Sequence, residues 1–409
     1  MKEFKNIWIF NHYAITPDLP GGTRHFDFAK ELTRRKYNIT IFASSFIHSI
    51  FKNRKFDNNS TSYVIENYEE IRFVWIKIFH YTKNNWRRAI NIFSYFWKAY
   101  FIGKKLPKIC KRIDRPDIII GSSVHPFTAF AANRLAKYYK VPFIFEIRDL
   151  WPQTLIDMKI ISKYSLIVTI LFKLEKLCLQ DCVAVISLSP LTEKYLKIKY
   201  NIQSEKLFYI PNGVNLDNFY REDKKENSKR FILAYTGNIA NSNFINIIID
   251  VAEILKKNKN IIFKIYGSGS SLKDIKDKIN ELKLDNISVL QPVQKRKIPY
   301  VLKMADALIL PTNNVYYGSE NKLYDYLAAE KPILYINVSS HNYIEGTGIR
   351  VKSNPSEIAK AILKLYNCSE SDRKKMATKG RKYVEKNHSI PILVDKLEKI
   401  INEVCYKTK

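Results

Sequence analysis

Cysteine is scarce in this sequence. The 409 residues include only five cysteines, Cys110, Cys178, Cys182, Cys368 and Cys405. An odd number at wide spacing fits neither a disulfide framework nor a zinc site, because both need cysteines in regular groups. We therefore expect a protein of a reducing, cytoplasmic compartment.

Long apolar runs are also missing. No stretch reaches the ~20 uninterrupted apolar residues that a helix needs to cross a bilayer. The opening MKEFKNIWIFNHY contains a four-residue apolar run, which is shorter than the core of a secretory signal peptide. The sequence predicts a protein that is soluble or lies on a membrane surface.

Acidic residues are few: 39 Asp and Glu stand against 68 Lys and Arg, a formal charge of +29. Between Ile71 and Ile113 there is no Asp or Glu, but there are eleven Lys or Arg and eleven aromatic residues. Read as a helix, this segment places Ile90, Phe93, Trp97 and Phe101 on one face. Five basic residues frame that face: Arg87, Arg88, Lys98, Lys104 and Lys105. Such a helix suits an anionic lipid surface. It can also be a core helix with solvated lysines, and both interpretations stay open.

Short, continuous apolar runs alternate with helical stretches along the whole chain. The runs are NIWIF, YNITIFA, PDIIIGSS, VPFIFEI, CVAVISLS and KLFYIP, then FILAYTGN, IIFKIYGSG, ISVLQP, ALILPT, KPILYIN and GIRVK. Continuous apolar strands are typical of parallel sheets covered by helices on both faces. The polar segment Asn215–Arg230 separates the two series. The sequence therefore predicts an α/β protein of two doubly wound, Rossmann-like domains, with a ligand in the cleft between them.

Two polar stretches lead directly into helices. In YYGSENKLYDYLAAEKP, Tyr316–Pro332, a loop without an apolar face precedes an amphipathic helix. Gly21 and Gly22 precede another helix, which we expect to start at Thr23. Free backbone amides and the helix dipole at such a start favour an anion. Neither stretch is a Gly-x-Gly-x-x-Gly fingerprint, and a Gly-Gly pair can also be a plain turn.

Taken in order, several segments carry a resemblance to a known family. PGGTRHFDFAKELTRRKYNITIFAS, EIRDLWPQTL, YIPNGVNLDNF, AYTGNI, IYGSGSSL and KLYDYLAAEKPIL together resemble the family-4 glycosyltransferases of the GT-B fold. The bacterial enzymes that build O-antigens and capsules, including fucosamine-type transferases, are the most similar. The resemblance runs from Ile7 to Asn402. It implies transfer of a hexosyl or N-acetylhexosaminyl residue from a nucleotide-sugar, usually UDP-linked, with retention of configuration and without a metal or other cofactor.

The resemblance also implies a donor site. Its candidate residues are Gly21, Gly22, Arg148, Gly237, Asn238, Val293, Glu320, Asn321, Lys322, Leu323 and Asp325. Lys322 would supply charge to the diphosphate, and Asp325 would accept hydrogen bonds from the ribose. The family's first glutamate of a Glu-x7-Glu pair falls on Tyr317, with Glu320 nearby but out of register.

A second departure concerns the cations that clamp the diphosphate in many relatives. Asn238 stands where they have an arginine, and no lysine follows. We expect Lys322, Arg148, Arg24 and the Gly21–Gly22 amides to neutralise the leaving group instead.

Two residues of the first half are candidates for the chemistry. His125 lies just past the apolar run DIIIG, where relatives often have a histidine near the transferred sugar. It can also be an ordinary loop residue. Asp149 belongs to EIRD, and the charges of Glu146, Arg148 and Asp149 at a strand's carboxyl end should face water or ligand. His12 is a further residue at the rim of the cleft.

The expected partners are a nucleotide-sugar and a glycan or polyprenyl-linked acceptor, with the protein peripheral on the cytoplasmic membrane and no nucleic acid. By resemblance, domains of residues 1–212 and 213–388 are joined a second time by a final helix, 389–409, that packs on the first. The alternatives are a degenerate glycosyltransferase-like scaffold, a basic nucleic-acid-binding protein and a sugar-nucleotide epimerase of the same fold.

Overall fold

The first half of the chain forms a mostly parallel sheet with helices on both faces. The structure, a computed structural model, describes residues 6–54, 61–82, 86–111, 113–219, 230–240, 244–312 and 320–407, and the elements below are those of these residues. The strands are β1 (Asn6–Phe10), β2 (Asn38–Ser44), β3 (Phe46–Ile47), β4 (Lys52–Asn53), β5 (Tyr63–Tyr68), β6 (Ile71–Ile76), β7 (Ile118–Ser123), β8 (Phe143–Ile147), β9 (Ala184–Ser187) and β10 (Leu207–Tyr209). The helices are α1 (Arg24–Arg34), α2 (Trp86–Ile109), α3 (Pro126–Tyr139), α4 (Gln153–Asp157), α5 (Leu166–Asp181) and α6 (Pro190–Tyr200).

The second half repeats this architecture with a smaller sheet. Its strands are β11 (Phe231–Thr236), β12 (Ile261–Tyr266), β13 (Ile287–Leu290), β14 (Ala307–Pro311), β15 (Ile333–Ile336) and β16 (Gly348–Val351). Its helices are α7 (Asn246–Ile254), α8 (Leu272–Glu281), α9 (Ile298–Lys303), α10 (Asn321–Ala328), α11 (Pro355–Asn367) and α12 (Glu370–Asn387), and α13 (Ile390–Lys407) ends the chain. Short 3-10 turns lie at Ser204–Lys206, Leu216–Phe219, Lys295–Lys297 and Ser340–Asn342.

Strand order shows that both sheets are doubly wound. The first runs β10-β9-β8-β7-β1-β2-β6-β5 and the second β13-β12-β11-β14-β15-β16. Within these two sheets all pairs are parallel except β5 with β6, and the separate pair of β3 and β4 is antiparallel. In each sheet the order reverses next to the first strand, between β1 and β7 and between β11 and β14. Ligands bind at such switch points, beyond the carboxyl ends of the strands. The predicted fold class is confirmed.

The apolar runs of the sequence lie in the strands for which they were predicted, but the β5–β6 hairpin was missed. Ile71–Ile76 belongs to β6, although the sequence placed it in the basic, aromatic segment. β6 pairs with β2, and all of its residues except Arg72 are buried. This burial explains the apolar character of the strand. The segment from Ile71 to Ile113 is therefore a strand followed by the long helix α2, rather than one surface element.

The final helix packs on the first sheet although it follows the second along the chain. Leu393, Val394, Leu397, Ile400 and Ile401 are buried in one cluster with apolar residues of β1, β2 and α1. The other face of that sheet is covered by α2, α3, α5 and α6. No helix among the described residues has both the length and the apolar character to span a bilayer.

Candidate functional site

The start of α10 opens into the cleft between the two sheets. Glu320 caps the helix in an extended conformation, and its side chain does not bond to the first amides. The amides of a first helical turn have no partner within the helix. Of these, the Leu323 amide donates to the Glu320 carbonyl at 3.2 Å. The amides of Asn321 and Lys322 are the ones that can meet an anion, which the helix dipole also favours.

Lys322 adds a full positive charge to this helix start. Its ammonium nitrogen lies 3.3 Å from the hydroxyl oxygen of Tyr235 and 4.9 Å from the centre of that ring. Gly237, which follows β11, has a φ of +147°, and a Cβ there would lie 3.1 Å from Cδ of Lys322. A glycine at this position therefore leaves the path of the lysine side chain open. Local geometry places Gly237 and Lys322 together at the second switch point.

The glycine pair before α1 meets α10 across the cleft. A Cβ on Gly22 would lie 3.2 Å from Nδ2 of Asn321. Gly21, with a φ of +143°, lies exposed beside Ile15. The two polar stretches singled out in the sequence, far apart along the chain, thus converge on one space.

Asp325 is buried one turn into α10, and one of its two carboxylate oxygens already has a hydrogen-bond partner. Its Oδ2 accepts a hydrogen bond from Nζ of Lys295 at 2.5 Å, whereas Oδ1 is buried without a partner. Asp27, of the first turn of α1, lies close to this pair. Burial raises the pKa of Asp27 to about 6, although Thr23 and Lys295 oppose that shift. The free Oδ1 is the atom of Asp325 that a ribose hydroxyl could reach.

Two charged residues of the expected site lie on the first-domain side of the cleft, and Glu320 faces them from the start of α10. Asp149 and Arg148 follow β8, and their amides donate to the Ser123 carbonyl, at 3.4 and 3.0 Å. Burial raises the pKa of Asp149, while Arg148 and Arg88 lower it. Glu320 faces Asp149. Burial raises the pKa of Glu320, Asp149 adds to that shift, and Lys322 opposes it.

His125 caps α3 directly after β7 and is paired with His12 after β1. Nε2 of His125 lies 3.0 Å from Nδ1 of His12, and both side chains are buried. Burial, reinforced by the charge of Arg88, lowers the pKa of His125 to about 3. The pKa of His12 is lowered well below its usual value for the same reasons, with His125 also contributing. At neutral pH this pair is uncharged and can exchange hydrogen bonds, but it cannot supply an imidazolium.

Arg24 and Glu146 are buried and paired with each other. The expectations that Glu146 faces water or a ligand and that Arg24 is a free cation for the leaving group were therefore wrong. Nε of Arg24 donates to Glu146 at 2.9 Å, and its other nitrogens donate to the carbonyls of Pro211 and Ile210. The second oxygen of Glu146 meets Nε2 of His25 at 2.7 Å. A buried arginine and a buried glutamate compensate each other's charge. Arg24 is therefore buried and engaged with Glu146 and with the segment that leaves the first sheet.

The remaining candidates follow β11, follow β13 or belong to α10. Asn238 is exposed after Gly237, and its carbonyl accepts from the Tyr235 hydroxyl at 2.9 Å. Val293 is half-buried in the loop after β13, and Leu323 is buried in the core of α10. Tyr317 lies outside the described residues.

The sequence missed two cations of the cleft. Lys295, which pairs with Asp325, stands in the run QKRKIP, where nothing distinguishes it from its basic neighbours. Arg88 was assigned to a membrane face but turns inward (Cζ lies 5.4 Å from the Trp151 ring centre). Among the described residues, no three His, Cys, Asp or Glu side chains converge as they would at a metal site.

Each half of the chain matches a known family. The family model for Glycosyltransferase Family 4 matches residues 21–218, and the model for Glycosyl transferases group 1 matches residues 217–383. Together the two matches run without a break from the Gly-Gly turn into α12. The chain belongs to the group 1 glycosyltransferases. In this glycosyltransferase the first matched segment lies in the half of the chain that forms the first sheet, and the second in the half that forms the second sheet. A search of curated proteins found no match.

Solved structures show that the fold is GT-B. Sucrose-phosphate synthase from Thermosynechococcus elongatus is similar with a TM-score of 0.76 at 15% identity, over 98% of this chain and 100% of that one. WaaG, a glycosyltransferase involved in lipopolysaccharide biosynthesis, gives 0.70 at 12% identity over 97% and 99%. HepE of Anabaena, in complex with UDP-glucose, gives 0.68 at 12% identity over 97% and 99%.

Proposed function

We propose that this glycosyltransferase moves a hexosyl or N-acetylhexosaminyl residue from a UDP-sugar to a lipid-linked acceptor of surface polysaccharide synthesis, with retention of configuration. The observation that carries the proposal is that Gly22 of the first domain meets Asn321 at the start of α10, beside Lys322, while Asp149 of the first domain faces Glu320. A structurally similar protein, HepE, is described with UDP-glucose bound. WaaG, also similar, acts in lipopolysaccharide biosynthesis.

The donor's diphosphate would lie at the start of α10. The first amides of the helix and Lys322 face this space, and Gly22 closes it from the other domain. Charge-assisted hydrogen bonds of this kind are stronger than neutral ones. The ribose would bind the free Oδ1 of Asp325, and the backbone near Val293 would border the base.

In a retaining transfer the new bond forms on the face of the sugar from which the old one breaks. The bond between the anomeric carbon and the UDP oxygen breaks, and the acceptor oxygen bonds to that carbon. The acceptor proton passes to the leaving phosphate oxygen. The enzyme then supplies electrostatic stabilisation through Lys322 and the α10 amides. Asp149 would orient the acceptor hydroxyl, and neutral His125 would hydrogen-bond the sugar. No metal is required in this scheme.

An exposed apolar surface near the cleft supports a membrane-borne acceptor. Ile90, Phe93, Trp97 and Phe101 of α2 are each 41–51% exposed. The possibility of a core helix, left open by the sequence, does not account for this face. Aromatic side chains bordered by lysines suit the interface with anionic lipids. We therefore propose that the protein is peripheral on the cytoplasmic face of the membrane.

A two-step experiment tests the proposed function. Thermal unfolding is first measured with a panel of UDP-, GDP- and dTDP-sugars, and a UDP-sugar should raise the midpoint because it binds only the folded protein. The stabilising sugar is then incubated with a polyprenyl-diphosphate-linked acceptor, and the product mass and anomeric configuration are determined. If no nucleotide-sugar stabilises the protein, or the product is inverted, the proposal is wrong. Donor binding without turnover would favour a scaffold.

A further inference from the structure

A group of buried polar atoms without partners lies on the first-domain side of the cleft. We call it the inner pocket and define it by His12, Tyr13, Arg88, Asn91, His125 and Arg148. Tyr13 is within hydrogen-bonding reach of Arg88, and Asn91 of His12. Three nitrogens are buried without a hydrogen-bond partner: Nε of Arg88, Nδ1 of His125 and Nε of Arg148. Leaving a buried donor or acceptor unpaired costs about 1–3 kcal/mol. Three such nitrogens in one place, two of them from arginines, indicate a site whose partner is a ligand.

The pocket is one connected cluster. His12 is stacked on Tyr13 at 4.3 Å between ring centres, and Tyr13 lies 6.0 Å from His125. The charge of Arg88 acts on His12, His125 and Asp149. Arg88 thus stands at the centre of the cluster although it comes from the first turn of α2.

The charge of the pocket is positive. Burial lowers the pKa of both His12 and His125, so they are neutral at pH 7. Arg88 and Arg148 remain as cations against the carboxylate of Asp149. An arginine fork suits a phosphate, which it can meet with two parallel hydrogen bonds. The partner favoured by this balance is therefore an anion rather than a neutral sugar ring.

A continuous apolar path leads from Arg88 to the outer face of α2. The guanidinium lies over Trp151, which packs against the small cluster of Ile92, Phe127 and Leu171. Phe127 in turn lies 4.8 Å from Phe93, between ring centres, and Phe93 is exposed. A chain whose polar end reached Arg88 would meet apolar side chains all the way to the proposed membrane face.

This path is flanked by a second exposed apolar patch that the sequence did not suggest. Leu166, Ile167 and Ile170 on α5 are 76%, 41% and 44% exposed, and α5 contributes Leu171 to the same small cluster. The apolar surface beside the inner pocket therefore has two walls, α2 and α5.

We propose that the inner pocket binds the phosphate of the acceptor through Arg88 and Arg148, and that the acceptor's apolar chain leaves between α2 and α5. Arg148, which the resemblance assigned to the donor diphosphate, then serves the acceptor, because it acts on Asp149 together with Arg88. This rests on the proposed function and specifies its acceptor as a phosphate ester of a long apolar alcohol. Asp149 lies between this phosphate site and Glu320 at the donor side. That placement suits an acceptor hydroxyl carried on a sugar next to the phosphate.

The test measures binding of decyl phosphate, decanol and methyl phosphate to the full chain by calorimetry, with UDP present to fill the donor site. Decyl phosphate should bind, and decanol and methyl phosphate should bind at least about tenfold more weakly, since each lacks one half of the contacts. Arg88→Met should weaken decyl phosphate about tenfold or more. The matched control is Arg134→Met, which removes an exposed arginine of α3 and should change affinity less than about twofold.

Three results would overturn the inference. Unchanged decyl phosphate affinity in Arg88→Met removes the arginine from the site. Methyl phosphate binding as tightly as decyl phosphate identifies a soluble phosphate rather than a lipid. Equal losses in Arg88→Met and Arg134→Met indicate general charge attraction. If Arg88→Met does not fold, Arg148→Gln carries the same expectation.

The inference and the proposed function fail separately. The thermal shift of the wild-type protein with a UDP-sugar measures binding at the donor site, and this binding does not involve Arg88. A normal shift without arginine-dependent phosphate binding leaves the glycosyl transfer in place and removes the phosphate site.

Discussion

At the scale of single residues, Lys322 has the most direct consequence for ligand binding. Its ammonium group lies at the start of α10, against Tyr235, where the diphosphate is proposed to bind. A charge-assisted hydrogen bond contributes about 1.5–3 kcal/mol. Lys322→Ala should therefore raise the dissociation constant of UDP about tenfold or more, as measured by calorimetry.

The matched control for this substitution is Lys273→Ala. Lys273 is also in the first turn of a helix of the second domain, α8, but it is exposed. UDP affinity should be unchanged in this variant. Equal affinity of Lys322→Ala and the wild-type protein would remove Lys322 from the donor site.

His125 should leave a signature in the pH dependence of stability. Its pKa in the folded protein is about 3, whereas an unfolded histidine titrates near 6.5. Between these values the unfolded chain binds a proton that the folded protein does not, so folding loses stability as the pH falls below about 6.5. Near pH 5, His125→Asn should reduce the slope of the unfolding free energy against pH by about 1.4 kcal/mol per pH unit. This is the slope that corresponds to one proton bound by the unfolded chain and not by the folded protein.

The measurement is urea unfolding at pH 7, 6 and 5 for both proteins. His80→Asn, which replaces an exposed histidine in the same way, is the control for the substitution itself. Equal slopes for His125→Asn and wild type would mean that His125 takes up its proton in the folded state too.

At the scale of elements, α2 has two faces with different roles. Tyr95, Ala99, Ile102 and Leu106 are buried against the sheet and α3. The opposite face carries the exposed aromatic residues, and Arg88 lies on the buried side. The 3.6-residue period of the sequence predicts which residues share a face. The period does not show which face of the helix packs against the rest of the protein.

The outer face of α2 should bind anionic membranes. Replacing Trp97 and Phe101 with Gln should weaken sedimentation with vesicles that contain anionic lipid, because apolar area is lost from the interface. Replacing Arg87, Lys104 and Lys105 with Gln should weaken it by about 1 kcal/mol per charge and remove much of its salt dependence. The bound fraction in sedimentation assays measures both.

Neutral vesicles and a distant charge change provide the controls. Gln in place of Lys374, Lys375 and Lys382 on α12 removes the same charge from the second domain and should leave vesicle binding nearly unchanged. Binding to neutral vesicles as strong as to anionic ones, or none to either, would leave the aromatic face without a lipid role.

At the scale of the whole molecule, two segments cross between the sheets side by side. The amide of Val214 donates to the carbonyl of His388 at 3.0 Å, and the amide of Ile390 donates to that of Val214 at 3.3 Å. The His388 ring stacks on Tyr324 of α10 at 4.2 Å. Two bonded crossings allow a hinge motion and oppose a free swing, which suits a cleft that must exclude water before transfer.

Removing α13 should therefore abolish activity without changing a ligand contact. A chain ending at His388 would expose the apolar cluster that Leu393, Leu397 and Ile401 cover. Burial of each such side chain contributes about 1.5–3 kcal/mol. We expect aggregation in size-exclusion chromatography and loss of the UDP thermal shift.

The control truncation ends at Val404, which keeps the described apolar contacts of the helix. It should remain monomeric and active. A chain ending at His388 that stayed soluble and fully active would show that the second crossing is dispensable.

Local sequence determined the elements of this fold and part of its site. Continuous apolar runs specify strands that are buried on both faces, because no polar side chain interrupts either surface. The Gly21–Gly22 turn and the polar loop before Lys322 are each a helix start, which is a property of neighbouring residues. Two doubly wound sheets with anion-binding helix starts could therefore be predicted.

Only tertiary structure decided which charges meet. Arg24 pairs with Glu146, and Lys295 with Asp325, over long separations in the chain. No local pattern distinguishes a cation that will be neutralised in the interior from one that will face a ligand, because both are basic residues beside a strand or helix. Arg88 is the clearest case. The helix period placed it next to a membrane face, and the packing of α2 against the sheet turned it into the cleft.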